Sequence, residues 1–213
     1  MAAPSLHLGI IPDGNRRWCA SKGCSSAQLV DRICSKFEEI ERAPGSLSRV
    51  SEISVYLLSK DNLCKRKDDT LSMVTQVLSR LWERLRERPS LPSDVRVQFV
   101  GERHLLPTRV QELLCTIETG LDAPEPSLVI TGAIAYDPIS DARTLGAGGR
   151  RPAQSPIDLV IRTGGERRSS GFFPLHTLYS EWHYVDQMFP DLALQDVEDA
   201  LQIYETRSRR YGA

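Results

Sequence analysis

The chain has 213 residues, of which 40% are hydrophobic and 26% are charged, with 14 glycines and 13 prolines. This composition excludes collagen-like, disulfide-scaffold and low-complexity proteins, and the length suits a single domain with a sizeable core. The 27 basic and 28 acidic side chains leave a formal net charge of −1. A balance this close gives no global reason to expect binding to nucleic acid or to an anionic membrane, so any anion site must be local.

Apolar runs are short throughout the sequence, and none approaches the roughly 20 residues that a membrane-spanning helix needs. The N-terminus shows no basic stretch followed by a long apolar run, so no signal peptide is evident and we expect a cytoplasmic protein. The cysteines form no C-x-x-C pair. We expect reduced thiols rather than disulfides or metal ligands at Cys19, Cys24, Cys34, Cys64 and Cys115.

Short apolar segments alternate with longer segments of helical periodicity along the chain. The predicted elements are, in order, a strand at 7–11, a helix at 26–43, a strand at 52–58, a helix at 69–88, a strand at 95–100, a helix opened by Pro107, strands at 127–135 and 157–161, and a helix at 194–209. This alternation predicts one α/β domain over residues 1–213, with a mainly parallel central sheet of about six strands flanked by helices.

Residues 144–155 break this pattern because they are rich in glycine, arginine and proline. Such a composition between two strands predicts a mobile surface loop. A second interpretation, in which Arg150 and Arg151 bind phosphate, stays open because arginine is a common phosphate ligand.

Two polar clusters follow the first and fifth predicted strands, at 12–18 and 162–170. The carboxyl ends of parallel strands meet at one edge of a sheet, which is where ligands of such sheets bind. Together the clusters supply five arginines, flexible glycines and three small hydroxyls, a set that suits a diphosphate. The carboxylate of Asp13 beside such a ligand is explained if Mg²⁺ binds there too, and Glu181 is a candidate for a further metal-binding carboxylate.

The segment from His7 to Trp18 resembles the first signature of the cis-prenyltransferases, the undecaprenyl diphosphate synthase family. The segment from Asp158 to Ser170 is similar to the last large signature of the same family. Looser similarities to the central motif, to a further block and to the C-terminal RxG motif lie at 56–62, 97–107 and 210–212. The resemblance covers nearly the whole chain and implies the fold and the chemistry of that family.

Members of this family join C5 isoprenoid diphosphates with Mg²⁺, so the resemblance implies a transferase whose substrates include dimethylallyl diphosphate and, in regular elongation, isopentenyl diphosphate. It implies catalytic roles for Asp13, Asn15, Arg17 and Ser59, and metal binding by Asp13 and Glu181. The implied substrate-binding residues are Gly14, Asn15, Arg16, Arg17, Trp18, Arg162, Arg168, Ser170, Arg210 and Gly212. The RxG motif reaches the second substrate across a dimer interface in this family, so a homodimer is implied. The proton acceptor is left open between a phosphate oxygen, a water and a polar side chain such as Asn15.

Several positions depart from the family's pattern. Pro12 stands where methionine is usual, and Ser26 and Val30 stand at the positions of an arginine and a histidine that hold the allylic diphosphate. Pro12 and residues 169–175 are instead similar to the lavandulyl and cyclolavandulyl diphosphate synthases, a side branch of the family. Enzymes of that branch join two dimethylallyl diphosphates head to middle, in some cases with ring closure.

Three functions are therefore compared. The favoured one is a prenyltransferase with a short product and irregular coupling. The second is regular cis-elongation with isopentenyl diphosphate, and Phe172 or Phe173 is then either a plug that limits product length or an ordinary core residue. The third, a non-catalytic homologue that binds a partner, ranks last because the family's charged site residues are all present, namely Asp13, Arg17, Arg162, Arg168 and Glu181.

Overall fold

Six parallel strands form the centre of the protein. The computed structural model describes residues 5–41, 48–65, 67–88, 92–146 and 155–207. The strands are β1 (Leu6–Ile11), β2 (Val50–Ser59), β3 (Val95–Val100), β4 (Leu128–Tyr136), β5 (Leu159–Arg162) and β6 (Glu181–Tyr184). Their order is β3-β4-β2-β1-β5-β6, and every neighbouring pair is parallel. The predicted α/β class and the parallel sheet are confirmed.

Helices cover this sheet and supply most of its core contacts. They are α1 (Asn15–Lys22), α2 (Ser26–Glu41), α3 (Lys60–Lys65), α4 (Lys67–Arg86), α5 (Thr108–Gly120), α6 (Pro138–Gly146) and α7 (Leu194–Thr206), with short 3₁₀ turns at Arg103–Leu105 and Phe189–Asp191. One core cluster joins β1 and β5 to α2 and α7, and a second joins α4 and α5 to β3. All six residues of β1 are buried, as expected for a central parallel strand. None of the helices in the described part of the chain combines the length and apolar character that a membrane crossing needs.

Four elements were not among the predicted ones, namely α1, α3, α6 and β6. Helix α1 has no buried residue, so it lacks the apolar stripe that reveals a helix. Strand β6 has only four residues, all half-buried, which leaves no clear alternation to detect. The loop predicted at 144–155 is wrong for its first three residues, since α6 extends to Gly146. Residues 147–154 lie outside the described residues, so that part of the loop prediction and the interpretation of Arg150 and Arg151 stay untested.

The cysteine prediction is wrong for one pair, because Cys19 and Cys24 form a disulfide. Gly23 directly follows helix α1, and its φ of 63° turns the chain and brings the two cysteine Cα atoms to 5.0 Å. A left-handed turn of this kind brings together cysteines whose spacing shows no recognised motif. Cys34 is a buried free thiol, and burial raises its pKa to about 11.

A buried histidine lies at the amino end of the sheet, in the second residue of β1. His7 is 2% exposed, and its ring nitrogens lie 2.9 Å from the Ser54 hydroxyl and 3.0 Å from the Ser155 carbonyl. Burial lowers the pKa of His7, although the carboxylates of Glu52 and Asp158 oppose this shift. Since His7 stands four residues before the end of β1, it is distant from the carboxyl edge described next.

Candidate active site

Two turns meet at the carboxyl edge of the sheet, one after β1 and one after β5. The buried Thr163 hydroxyl accepts a hydrogen bond from the Asp13 N–H at 2.9 Å and donates one to the Asp13 carbonyl at 2.8 Å. The same carbonyl accepts a hydrogen bond from the Phe189 N–H at 3.0 Å. These bonds hold the Asp13 backbone from two sides and so fix the position of its side chain.

Glycines allow these two turns to approach each other closely. Gly14 has a φ of 96°, and a Cβ there would lie 2.9 Å from the Met188 side chain. Gly164 has a φ of 84°, and a Cβ there would lie 2.9 Å from Arg17 Nη2 and 3.1 Å from the Asp13 carbonyl carbon. Both positions combine a left-handed backbone with no space for a side chain, so glycine is required at each.

A buried guanidinium connects the two turns. Arg162 has a side chain that is 3% exposed, and it donates hydrogen bonds to Asp13 Oδ2 at 2.8 Å, to Ser170 Oγ at 2.8 Å and to the Arg168 carbonyl. The Arg162 Nε–H has no hydrogen-bond partner among the described residues, so the buried charge is balanced by the Asp13 carboxylate and by the bonds of the two terminal nitrogens. Arg162 therefore organises the edge, with the Asp13 carboxylate as its counter-ion.

The first turn of α1 places cationic side chains above this pair. Arg17 donates to the Gly164 carbonyl at 2.9 Å and lies 3.8 Å from Asp13 Oδ1, while half of its side chain stays exposed. Arg16 is exposed beside it. The Asn15 amide donates to the Pro12 carbonyl at 2.7 Å. The free N–H groups at the start of a helix and two guanidinium groups form an environment that favours an anion.

A cavity of about 220 Å³ opens in front of these groups. One side of it is formed by the turn after β1 and by Arg162 and Ser170. The opposite side comes from the end of β2 and from α3 and α4, with Tyr56, Leu57, Leu58, Ser59, Asn62, Thr70 and Met73. The cavity thus has a charged side and a second side where apolar surface comes from Tyr56, Leu57, Leu58 and Met73, which we call the apolar side.

A smaller cavity of about 50 Å³ continues from the apolar side towards α2 and α4. The two cavities share wall residues, namely Pro12, Asn15, Tyr56, Leu57 and Met73. The far end of the smaller one is formed by Ile33, Phe37, Val74 and Val77. Phe37 is held there by its ring contact with Phe189, whose centroid lies 4.9 Å away. An elongated apolar group attached to an anion therefore has a path from the charged side into this end.

Tyr56 joins the apolar wall to the second turn. Its hydroxyl donates to the Ser170 carbonyl at 3.2 Å, and its ring lies 5.4 Å from the ring of Phe172. Burial raises the pKa of Tyr56 to about 12, so the phenol stays protonated at neutral pH. Phe172 and Phe173 are fully buried and lie in a core cluster, and neither belongs to the wall of either cavity. Of the two alternatives for these phenylalanines, the structure supports ordinary core residues.

The oxygen atoms of Asp13 are suited to a divalent cation. Its Oδ1 accepts from the Gly14 N–H at 2.7 Å and its Oδ2 accepts from Arg162, which leaves a lone pair on each oxygen. Mg²⁺ commonly takes one or two carboxylates plus substrate phosphates, so Asp13 fits such an ion. No group of three or more metal-ligating side chains occurs among the residues that the structure describes, so the phosphates would have to complete the site.

Glu181 does not join Asp13 within one chain. It is the first residue of β6 and lies beside Leu159, at the start of β5. The edge that holds Asp13 lies beyond the other end of β5, about 10 Å further along the strand direction. The Glu181 carboxylate forms an ion pair with Arg207 instead. This separation could not be predicted from the sequence, because β6, the strand that Glu181 begins, was not among the predicted elements.

The structure brings most of the predicted site residues to one cavity. Those that line it are Asp13, Gly14, Asn15, Arg16, Arg17, Ser59, Arg162 and Ser170. Trp18 packs against the core beside α2, and Arg168 is an exposed side chain paired with Glu166. Arg210 and Gly212 lie outside the described residues.

Sequence reasoning did not assign part of the cavity wall, namely Pro12, Tyr56, Leu57, Asn62, Thr70 and Met73. Tyr56, Leu57 and Asn62 lie in the segment 56–62 that is similar to the family's central motif, and that similarity is the signal that could have found them.

The chain matches the family model described as putative undecaprenyl diphosphate synthase over residues 11–145 and 141–212. The tritrans,polycis-undecaprenyl-diphosphate synthase (geranylgeranyl-diphosphate specific) of Aeropyrum pernix is 31% identical over 224 residues, covering 96% of this chain and 97% of that protein. The ditrans,polycis-undecaprenyl-diphosphate synthase ((2E,6E)-farnesyl-diphosphate specific) of Salmonella paratyphi A is 29% identical, covering 97% and 89%.

A solved structure shares the fold. The crystal structure of lavandulyl diphosphate synthase from Lavandula x intermedia in complex with dimethylallyl diphosphate aligns with a TM-score of 0.79. The two chains are 24% identical, and the alignment covers 97% of this chain and 98% of that one. At this identity the likeness supports the architecture described above.

Proposed function

The chain belongs to the undecaprenyl diphosphate synthase family and is a cis-prenyltransferase, and from this premise we propose that it condenses C5 isoprenoid diphosphates into a short prenyl diphosphate. The observation that carries the proposal is the two-part cavity. Its charged side suits a diphosphate, and its apolar end measures only about 50 Å³. An engineered apolar cavity of about 150 Å³ binds a single benzene molecule, so an end of about a third of that volume has no room for a long prenyl chain.

The allylic diphosphate binds at the start of α1 in this proposal. As the allylic C–O bond breaks, negative charge grows on the departing diphosphate. Arg16, Arg17 and the free N–H groups of α1 are positioned to stabilise that charge. Mg²⁺ held by Asp13 and by phosphate oxygens would supply further neutralisation of the same charge.

The second substrate binds beside the turn that follows β5. Ser170 lines the cavity, and Arg168 is exposed on the same turn and so is available to a diphosphate. We propose that Arg210 and Gly212 of a second copy complete this subsite, so that the enzyme works as a homodimer in the cytoplasm.

The apolar wall protects the reacting carbons from water. Tyr56, Leu57 and Met73 line both cavities and exclude solvent from the cation that forms when the diphosphate leaves.

The alkene of the second substrate attacks this cation, and the C–H proton then leaves to a phosphate oxygen, a water or a side chain. Asn15 is a candidate acceptor because its amide nitrogen donates to the Pro12 carbonyl, whereas its buried oxygen has no hydrogen-bond partner within the described part of the chain.

The favoured coupling is irregular, between two molecules of dimethylallyl diphosphate. Pro12 and residues 169–175 support it through their resemblance to the lavandulyl branch, and Pro12 lines both cavities. Regular elongation with isopentenyl diphosphate is the second candidate, supported by relatives named as undecaprenyl-diphosphate synthases.

Product analysis with Mg²⁺ tests the proposal. The purified protein receives dimethylallyl diphosphate alone, and a parallel sample also receives isopentenyl diphosphate. A branched or cyclic C10 product from dimethylallyl diphosphate alone supports irregular coupling. A linear Z-product that requires isopentenyl diphosphate makes the enzyme a regular elongator, and a long polyprenyl product contradicts the short cavity.

A further inference from the structure

One lysine connects the carboxyl ends of three neighbouring strands through ion pairs. Lys60 begins α3 directly after β2, and its Nζ donates to Glu102 Oε1 at 2.9 Å and to Asp137 Oδ2 at 3.2 Å. Glu102 lies just beyond β3 and Asp137 directly follows β4. Since β3, β4 and β2 are adjacent in the sheet, a single ammonium group connects all three ends. We call Lys60, Glu102 and Asp137 the strand-end clamp.

The clamp lies where the regular pairing of β2 with β4 breaks down. Between Tyr56 and Leu58 the register advances by one residue on β4 but by two on β2, so Leu57 is an extra residue. Directly after this bulge β4 has its own extra residue, Ala135, whose φ is 50°. A backbone with such irregularities makes fewer ladder hydrogen bonds and depends on other contacts to keep its shape.

The irregular end of β2 is also a wall of the active-site cavity. Leu57 and Ser59 line that cavity, and Leu57 borders the apolar extension as well. The Ser59 hydroxyl accepts from the Asn62 N–H at 3.1 Å, which ties it to the first turn of α3. Lys60 stands between these groups without belonging to the cavity wall.

We propose that Lys60 is a positioning residue for prenyl transfer, which holds the bulged end of β2 so that Leu57 and Ser59 keep the cavity in its reactive shape. The proposal rests on the proposed function, because it concerns the same cavity. It assigns the clamp no contact with substrate.

The charges of the clamp support this role. Hydrogen bonding to Lys60 lowers the pKa of Glu102, and hydrogen bonds to Glu102 and Asp137 raise the pKa of Lys60. Burial by itself would raise the pKa of Asp137, but the Ile139 N–H and Lys60 outweigh it and the pKa is lowered. All three groups are therefore charged at neutral pH, so the clamp is ionic under ordinary conditions.

The test compares Lys60→Met with Lys65→Met. Lys65 lies in the same helix and pairs with Asp61 at 2.9 Å, but both side chains are more than 70% exposed and neither reaches another strand. We expect Lys60→Met to lower kcat about tenfold or more, because small displacements of a cavity wall have effects of this size. The KM for the allylic diphosphate should change less than threefold, since its arginines lie outside the clamp. Lys60→Arg should recover most of kcat, and Lys65→Met should match the wild type.

A second readout separates this proposal from the proposed function. Amide hydrogen exchange is measured over residues 56–62, whether or not the protein turns over prenyl diphosphates. Lys60→Met should accelerate exchange there, and the milder Glu102→Gln should do so to a smaller extent and serves if Lys60→Met fails to fold. Unchanged exchange in a folded variant, a kcat within twofold of wild type, or an equal effect of Lys65→Met overturns the role of Lys60. Failure of the wild type to form any prenyl product overturns the proposed function alone.

Discussion

Removal of the Asp13 carboxylate should affect both stability and turnover, and the buried Arg162 sets the size of the first effect. In Asp13→Ala the guanidinium, 3% exposed, loses the carboxylate that lies 2.8 Å away. Breaking a buried ion pair costs about 3–5 kcal/mol, and the loss of one charged hydrogen bond costs about 1.5–3 kcal/mol. Because Asp13 is itself 35% exposed, water can partly replace it, and we expect a loss of about 2–3 kcal/mol.

The assay is thermal and urea unfolding beside steady-state turnover with Mg²⁺. A loss of this size lowers Tm by about 4–12 °C for a chain of this length, so the variant should still be folded at 25 °C. Turnover should be lost, because the same carboxylate is the metal ligand in the proposed function. Asp13→Asn keeps hydrogen-bonding capacity towards Gly14 and should recover part of the stability but none of the metal-dependent rate.

Glu166→Ala is the matched control. Its carboxylate also pairs with an arginine, but the Arg168 side chain is 63% exposed, and exposed pairs contribute about 0–1 kcal/mol. Equal Tm shifts for Asp13→Ala and Glu166→Ala would show that burial of Arg162 does not determine the cost. Additive losses in the double variant Asp13→Ala/Arg162→Met would show that the two groups are not coupled.

Three further outcomes are expected. Phe37→Ala opens the far end of the apolar cavity, so in regular elongation with isopentenyl diphosphate, product chromatography should show a product longer by at least one C5 unit; an unchanged length in that reaction contradicts the boundary. The pKa of His7 lies below its ordinary 6.5 in the folded state, so only the unfolded chain gains the proton just below pH 6.5. Urea unfolding should therefore show stability falling as the pH drops below 6.5, by at most about 1.4 kcal/mol per pH unit, and His7→Gln should remove this contribution. Reduction of the Cys19–Cys24 disulfide should cost about 2 kcal/mol and lower Tm by about 4–8 °C, and Cys24→Ser should make Tm insensitive to reductant.

The location of the site could be predicted from the sequence because it depends on two simple facts. Strand–helix alternation predicts a parallel sheet, and polar residues directly after two of its strands must meet at one edge. Asp13 and Arg162 satisfy this rule and lie 2.8 Å apart. The apolar wall could not be predicted in the same way, since Tyr56 and Leu57 end a buried strand and have the composition of ordinary core residues.

Glu181 shows the limit of reasoning from spacing alone. Glu181 is close to Ser170 along the chain, and its charge suits a metal ion. Its position along the strand direction, however, is set by the register of β6 on β5, which pairs it with Leu159. A strand of four residues gives no periodicity from which that register could be derived. The disulfide was missed for a related reason, because the turn at Gly23 depends on a φ of 63° that the residue names do not specify.

Several departures from regular backbone lie at the carboxyl edge of the sheet. Gly14, Gly164 and Ser170 have positive φ, and they are located in the two turns that hold the charged groups. Ala135 also has positive φ, and it lies opposite the bulge at Leu57 that shapes the apolar wall. Strain of this kind persists only where surrounding contacts determine the conformation, here the bonds of Thr163 to Asp13 and the strand-end clamp. Because Gly14, Ser170 and the bulged Leu57 line the cavity, the contacts that stabilise the edge also set the shape of the site, and substitutions in them should change turnover before they unfold the sheet.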